Sequence, residues 1–232
     1  MICMCANYIP TARDELLEYF HVAPPQDVTT AEAFPGSLAP IIRLPHAQAK
    51  PAEMEAVTAC FGMVPHWADM KLARSTYNAR TETVASKPSF RHAYRNRQFC
   101  VIPVAAIFEP NYESGKAVRW KIASADGRPL GLAGIWEYRA AGPDGAPLMS
   151  FSMLTINADG HPLMQRFHKP EDEKRMVVVL EPDDYASWLQ APLEQAGEFF
   201  QPYPASRLIA TEAPLRRAVH RTPPSTASLF PG

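Results

Sequence analysis

Phe99-Cys100-Val101-Ile102-Pro103-Val104-Ala105-Ala106-Ile107-Phe108-Glu109 is the longest apolar run in the chain, and its reading decides the fold class. Valine, isoleucine and phenylalanine suit a pleated, half-buried surface, so the run predicts a strand over 99–109. Pro103 interrupts it, and it falls well short of the roughly 20 apolar residues needed to span a bilayer. Segments of similar composition follow at Val118–Ala123, Leu130–Tyr138, Met149–Asn157 and Met176–Leu180. Asp126-Gly127 and Asp144-Gly145 fall between them, where hairpin turns belong.

Working outward, Thr11-Ala12-Arg13-Asp14 has capping-box spacing, and Leu16, Leu17 and Phe20 follow on one helical face. A first helix is expected over about 12–21. Residues 22–54 are rich in proline and alanine with little periodicity, which reads as extended segments and loops. Phe61-Gly62-Met63-Val64-Pro65-His66-Trp67 reads as a strand running into a turn, and residues 87–97 as a short helix. Pro182-Asp183-Asp184 places proline and two acids at a helix start, so a helix over about 182–190 would turn Tyr185, Trp188 and Leu189 to a core. The chain beyond 202 is proline-rich and basic, with weak structure expected at its end. The fold class is α+β: a single domain over residues 1–232 with a large antiparallel component.

Composition narrows the function. The chain has 232 residues, 47% hydrophobic and 20% charged, an ordinary globular balance. Net charge is −1, so binding to nucleic acid would have to come from a local patch. No apolar stretch is long enough for a membrane span, and the N-terminus lacks the basic-then-apolar pattern of a secretory signal. Cys3, Cys5, Cys60 and Cys100 are therefore expected to be reduced thiols in a cytoplasmic protein. No phosphate-binding glycine loop and no Gly-x-Ser-x-Gly elbow occurs.

Four positions carry candidate chemistry. Cys5 sits at the very start of the chain, and a cysteine that becomes residue one carries a free amine and a thiol on adjacent carbons. Such a 1,2-aminothiol condenses with an aldehyde and closes a five-membered thiazolidine. An ordinary α-amine titrates near 7.7–8.0 and a thiol near 8.5, so both nucleophiles are present at neutral pH. Asn78 lies in Tyr77-Asn78-Ala79-Arg80-Thr81-Glu82-Thr83; Glu109 ends the apolar run, where a carboxylate is a candidate acid or base; His168 precedes Arg175-Met176. A histidine suits proton transfer near neutrality. Each of these residues alone reads equally as an incidental cysteine, a surface carboxylate or a solvated loop histidine.

Between 71 and 98 there are seven lysines and arginines against one acid, Glu82. Arg74, Arg80, Arg91, Arg95 and Arg97 suit phosphate contact, and Trp67 and Tyr77 offer faces on which unpaired bases could stack. The same residues also fit a solvated face and a buried aromatic core. Zinc is a competing use for Cys3-x-Cys5, but Cys60 and Cys100 lack the second close pair of structural zinc sites.

In order and spacing these segments resemble the SRAP (SOS response associated peptidase) family, sensors of abasic sites in single-stranded DNA. Cys5-Ala6-Asn7-Tyr8 resembles the family's Met-Cys-x-x-aromatic opening, and Phe61–Trp67 its aromatic-Gly-x-x-Pro-x-Trp block. Asn78–Thr83 is close to its Asn-Ala-Arg-x-Glu-Thr signature. Arg97 through Pro103 is similar to an Arg-x-Cys-x-x-Pro region, Phe108-Glu109 to an aromatic-Glu pair, and His168 with Arg175-Met176 to a His-x-Arg-Met segment.

The resemblance implies a barrel-like mixed sheet with flanking short helices. It also implies a thiazolidine crosslink between Cys5 and the aldehyde of an abasic site, after autoproteolytic removal of the preceding residues. Asn78 would hold the sugar or backbone, Glu109 would shuttle protons, His168 would assist ring opening, and Arg80 with its basic neighbours would grip phosphates. The implied partner is abasic single-stranded DNA, bound by a monomer at the nucleoid, with no metal, cofactor or membrane.

Departures accompany it. Met1-Ile2-Cys3 precede Met4, so either translation begins at Met4 or the chain is cut before Cys5. Asn7 stands where the family often has arginine, Pro110 where it has tryptophan, and Val177 where it has proline. Six residues, Lys169 to Lys174, separate His168 from Arg175 where one is usual. Two rival readings stay open: a self-processing peptidase without DNA chemistry, and a non-catalytic DNA-binding remnant.

Overall fold

The apolar run forms a strand two residues longer than its sequence predicts, and every other strand takes its place from it. The computed structural model describes residues 6–26, 31–45, 53–143 and 145–214. Ahead of the run come β1 (Asn7–Pro10), α1 (Arg13–Phe20), β2 (Leu38–Arg43), β3 (Glu55–Phe61), β4 (Asn78–Arg80) and α2 (Arg91–Arg95). The run itself is β5 (Phe99–Asn111), followed by β6 (Val118–Ser124), β7 (Leu130–Arg139) and β8 (Leu148–Asn157). β9 (Arg175–Val177), β10 (Val179–Leu180), α3 (Tyr185–Gln190) and β11 (Leu208–Glu212) complete the domain.

β5 is long enough to have two neighbours on each edge. Its first half pairs with β7 (Phe99↔Ile135 to Val104↔Leu130) and its second half with β6 (Ile107↔Ile122 to Asn111↔Val118). On the other edge β2 meets it at Ile42↔Val101, and β1 at Asn7↔Phe108 through Pro10↔Val104. The ring β5-β7-β8-β3-β2 closes on itself, giving a five-stranded mixed barrel whose one parallel contact is β3 with β8. The expected α+β, barrel-like sheet is the observed architecture.

Inside, Phe61 stacks on Phe151 at 5.3 Å and meets Tyr8 and Tyr77 edge-on at 5.2 and 5.8 Å. Burying each such ring is worth about 1.5–3 kcal/mol. α3 lies against β5, where Trp188 stacks on Phe99 at 4.2 Å and donates from Nε1 to the Cys100 carbonyl at 2.9 Å. Tyr185, Trp188 and Leu189 are all buried, as their spacing predicts.

Several boundaries differ from expectation for physical reasons. The cap of α1 is Ala12, not Thr11: Glu15 reaches back to accept from the Ala12 amide at 3.1 Å, while the Thr11 amide donates to Pro103. The 61–67 segment does run from strand into turn, but only Phe61 of it is strand. Gly62 ends β3 at φ 108, where a Cβ would sit 2.3 Å from the Ala73 carbonyl oxygen, so only glycine makes this bend. Asp126-Gly127 turns the chain between β6 and β7, but these strands do not pair; they lie end to end along β5. Gly145, by contrast, does lie in the connection of a true hairpin, β7–β8. The 176–180 strand is broken at Val178, whose amide donates to Leu154 and whose carbonyl accepts from Ala133. Pro182–Asp184 form a 3₁₀ turn before α3. β11 adds an edge strand to β6 within the proline-rich tail. The expected removable extension at 1–4 and the weak tail from about 220 lie outside the described residues.

Candidate functional site

The register of β1 on β5 sets the site. With Asn7 opposite Phe108, the residue that follows Cys5 is delivered to the end of β5. A cleft of about 230 Å³ opens there, lined by Ala6 and Asn7, by Phe108, Glu109 and Pro110 from β5, and by Arg119 from β6. Cys5 itself falls outside the described residues, one peptide unit from Ala6.

Glu109 is buried and Oε2 lies 3.1 Å from Nε2 of His168, whose side chain is 1% exposed. An imidazole facing a carboxylate presents its N–H as the donor. The loop bearing His168 is held from both sides. Its amide donates to the Pro110 carbonyl at 2.9 Å, and Asn111 Nδ2 donates to the Arg166 carbonyl at 3.0 Å. His161 braces the loop's start, accepting at Nδ1 from the Leu163 and Met164 amides while Nε2 donates to the Tyr203 carbonyl at 2.8 Å. His168 itself takes a left-handed conformation, φ 64, which costs a non-glycine residue about 1 kcal/mol and is kept only where its surroundings enforce it. Its Nδ1 is buried with no hydrogen-bond partner among the described residues.

Asn78 lies on β4, which runs parallel to β8 with Asn78 opposite Met153. Both atoms of its amide are buried without a hydrogen-bond partner among the described residues. It stands outside the Glu109–His168 pair and outside the lining of the cleft. Tyr77 next to it joins β1 through the chain of rings Tyr77, Phe61 and Tyr8.

Four residues after Asn78, Glu82 accepts a bidentate pair of hydrogen bonds from Arg175, at 3.1 and 2.8 Å. Arg175 is 1% exposed and also donates to the Thr155 carbonyl at 2.7 Å. Burial raises the Glu82 carboxyl, but the Arg175 hydrogen bonds, a backbone hydrogen bond and the charges of Arg175 and Arg80 together outweigh it and hold the group below its ordinary value. Glu82 and Arg175 therefore clamp the Asn78 segment to the strand that follows the His168 loop. Arg80 is not free: its Nη1 pairs with Glu173 at 2.8 Å.

The remaining cations named above are not among the residues that line the cleft. Arg74 is exposed at the end of a 3₁₀ turn over Met70–Ser75, and Arg91, Arg95 and Arg97 are exposed on or just after α2. Arg97 precedes the start of β5, whereas Glu109 is near its end, so about 30 Å of strand lies between them. Trp67 is 53% exposed, which removes it from the core. Cys60 and Cys100 are buried, with burial pushing the Cys60 thiol up to about 11 and Cys100 well above its usual value, so neither is a ready nucleophile. Among the described residues no group of three or more His, Cys, Asp or Glu is arranged to hold a metal, and no helix is long and apolar enough to cross a membrane.

Two participants escape a reading of the sequence. Arg175 is visible only as part of a motif, and its clamp on Glu82 is not. Arg119 sits in an alternating strand, Val118-Arg119-Trp120-Lys121, with no local signal that it faces a cleft.

A model of the family described as SOS response associated peptidase (SRAP) matches residues 4–221. Among curated proteins, the abasic site processing protein YoqW of Bacillus subtilis (strain 168) is 28% identical over 155 residues, 65% of each chain. The abasic site processing protein YoaM of the same organism is 28% identical over 156 residues, 65% of this chain and 64% of its own. The chain thus spans a little under two thirds of these relatives. A crystal structure of a Bordetella bronchiseptica protein, 39% identical, superposes with a TM-score of 0.81 over 91% of this chain and 100% of its own. One from Bacteroides thetaiotaomicron shares the fold at 20% identity, with a TM-score of 0.73 over 90% and 91% of the two chains.

Proposed function

Because this chain belongs to the SOS response associated peptidase family, we propose that it processes abasic sites in single-stranded DNA by a covalent crosslink through Cys5. The observation that carries this reading is the shared cleft: Ala6, the neighbour of Cys5, lines it together with Glu109, which is hydrogen-bonded to buried His168. The names of the Bacillus relatives support the substrate class.

An abasic deoxyribose opens to an aldehyde. The Cys5 amine adds to that carbon, and the carbinolamine loses one water to give a Schiff base. The Cys5 sulfur then adds to the imine carbon and the proton passes to nitrogen, closing the thiazolidine. The adduct is DNA plus protein minus one water. Glu109 serves as the group that protonates the departing hydroxyl and takes up the amine proton. His168 donates to Glu109 and fixes the carboxyl's orientation. Asn78 offers the sugar or backbone an amide that has no partner among the described residues. A free amine is required, so residues 1–4 must be absent or removed, and self-cleavage before Cys5 is the peptidase activity assigned here. Arg74 and Trp67 extend the DNA contact, Arg80 is held by Glu173, and Arg91, Arg95 and Arg97 would meet only strand remote from the lesion.

The test is crosslinking of a single-stranded oligonucleotide bearing one abasic site, read as a denaturant-resistant band. Wild type should form it and Cys5→Ala should not, with both folded by circular dichroism. Full crosslinking by Cys5→Ala would remove the reading.

A further inference from the structure

The cleft beside Glu109 has a composition of its own. Ala6, Phe108 and Pro110 give it apolar walls, and Arg119 is the only cation among the described residues that line it. Arg119 is fixed before any ligand arrives. Its guanidinium carbon lies 3.2 Å from the centroid of the Phe108 ring, Nη2 donates to Glu32, and Nη1 donates to the Ala213 carbonyl at 3.1 Å. Glu32 also accepts from Asn7 Nδ2, so position 7 and Arg119 converge on one carboxylate at the mouth of the site. Position 7 brings no charge of its own.

A guanidinium carries five N–H donors in a rigid fork, and Glu32 and Ala213 engage only part of it. The Arg119 Nε is buried with no hydrogen-bond partner among the described residues, a donor left for an acceptor that those residues do not supply. An apolar wall for a deoxyribose, a carboxyl at one side and a held guanidinium at another make up a site for a sugar-phosphate unit.

We propose that Arg119 binds the phosphodiester adjoining the abasic sugar and thereby seats the aldehyde carbon beside Glu109. This rests on the crosslinking reading above and names a binding residue within it. Glu32 is the positioning residue: it holds the fork in place on Phe108 and leaves Nε and the spare Nη hydrogens for the phosphate.

The experiment pairs Arg119→Gln with single-stranded oligonucleotides whose linkages on either side of the abasic site are made neutral, one at a time, as methylphosphonates. In wild type, neutralising the contacted linkage should slow crosslinking about tenfold, the scale of one charge-assisted hydrogen bond. Arg119→Gln should be slowed by a similar factor on the native strand, and should lose no further rate on that neutral linkage. Asn7→Arg in the Arg119→Gln background should recover part of the rate, since both side chains meet at Glu32. If Arg119→Gln slows crosslinking yet remains as sensitive as wild type to every neutral linkage, its role is structural and the proposal is overturned. Should Arg119→Gln not fold, the wild-type scan decides: indifference to both neutral linkages overturns it. Failure of wild type to crosslink any abasic strand would instead remove the functional reading on which it rests.

Discussion

Glu109 and His168, 59 positions apart in sequence, meet at 3.1 Å in a buried pair beside the strand that carries the start of the chain. Glu109 is the group next to the proposed chemistry and His168 acts through it. Glu109→Gln should therefore lower the single-turnover crosslinking rate by about 10²–10⁴-fold, the usual contribution of a positioned acid or base. His168→Gln should cost less and displace the pH–rate profile, which Glu109→Gln should flatten. Equal rates in all three proteins would exclude the pair from the reaction.

Arg175 and Glu82 form the second cross-brace, and their environments predict different costs. Arg175 is buried and supplies hydrogen bonds to Glu82, Glu173 and Thr155, so Arg175→Ala should destabilise by about 3–5 kcal/mol in denaturant titration. Glu82 has a half-exposed side chain, and Glu82→Gln should cost about 0–1 kcal/mol.

The same pair gives a pH dependence. The folded Glu82 carboxyl is held below its ordinary 4.5, so its contribution is complete above that pH and fades as pH falls through the lower folded value. Urea midpoints of wild type and Glu82→Gln should converge as the pH is lowered from 5 towards 3. A constant gap would contradict the assignment.

Glu137 predicts the opposite slope. Burial raises its carboxyl despite the nearby His92 and His66, and Oε2 has no hydrogen-bond partner among the described residues. The folded protein thus holds a proton the unfolded chain has released, so stability falls as pH rises through the folded value. Glu137→Gln should raise the Tm at pH 7–8 and leave it unchanged near pH 4. Destabilisation at both pH values would mean that the ion pair with His92 outweighs burial.

Much of the barrel is legible in the sequence, and what is not has a common cause. β5, β7 and β8 announce themselves because Val101, Ile102, Val104 and Ile107 pack on both faces and the β7–β8 connection carries a turn dipeptide. β2 contains Pro40 in proline-rich surroundings, and β3 is the alanine-rich Glu-Ala-Val-Thr-Ala-Cys-Phe, so neither shows a strand period. The contact that closes the ring, β3 with β8, is parallel and leaves no turn signature. In the site, Glu109 is visible as a charge ending an apolar run. The meeting with His168 is not, because it depends on a left-handed residue and on a loop braced by His161 and Asn111. The Asn78 motif shows its amide but hides that its Glu82 is a clamp and that Arg80 is paired.

That pairing carries a further expectation. Glu173, within the six-residue segment after His168, occupies the Arg80 guanidinium that phosphate would otherwise engage. Glu173→Gln should strengthen binding to undamaged single strands a few-fold and steepen the dependence of log K on log salt by about 0.7, the release expected for one more phosphate contact. Fluorescence anisotropy at several salt concentrations measures both. An unchanged slope would mean that Arg80 stays out of DNA contact.

The most direct test of the central claim is the intact mass of the purified protein, alone and after incubation with single-stranded DNA bearing one abasic site. The account predicts a chain that begins at Cys5 and gains the mass of the oligonucleotide minus one water. A chain that begins at Cys5 and gains no mass would contradict it.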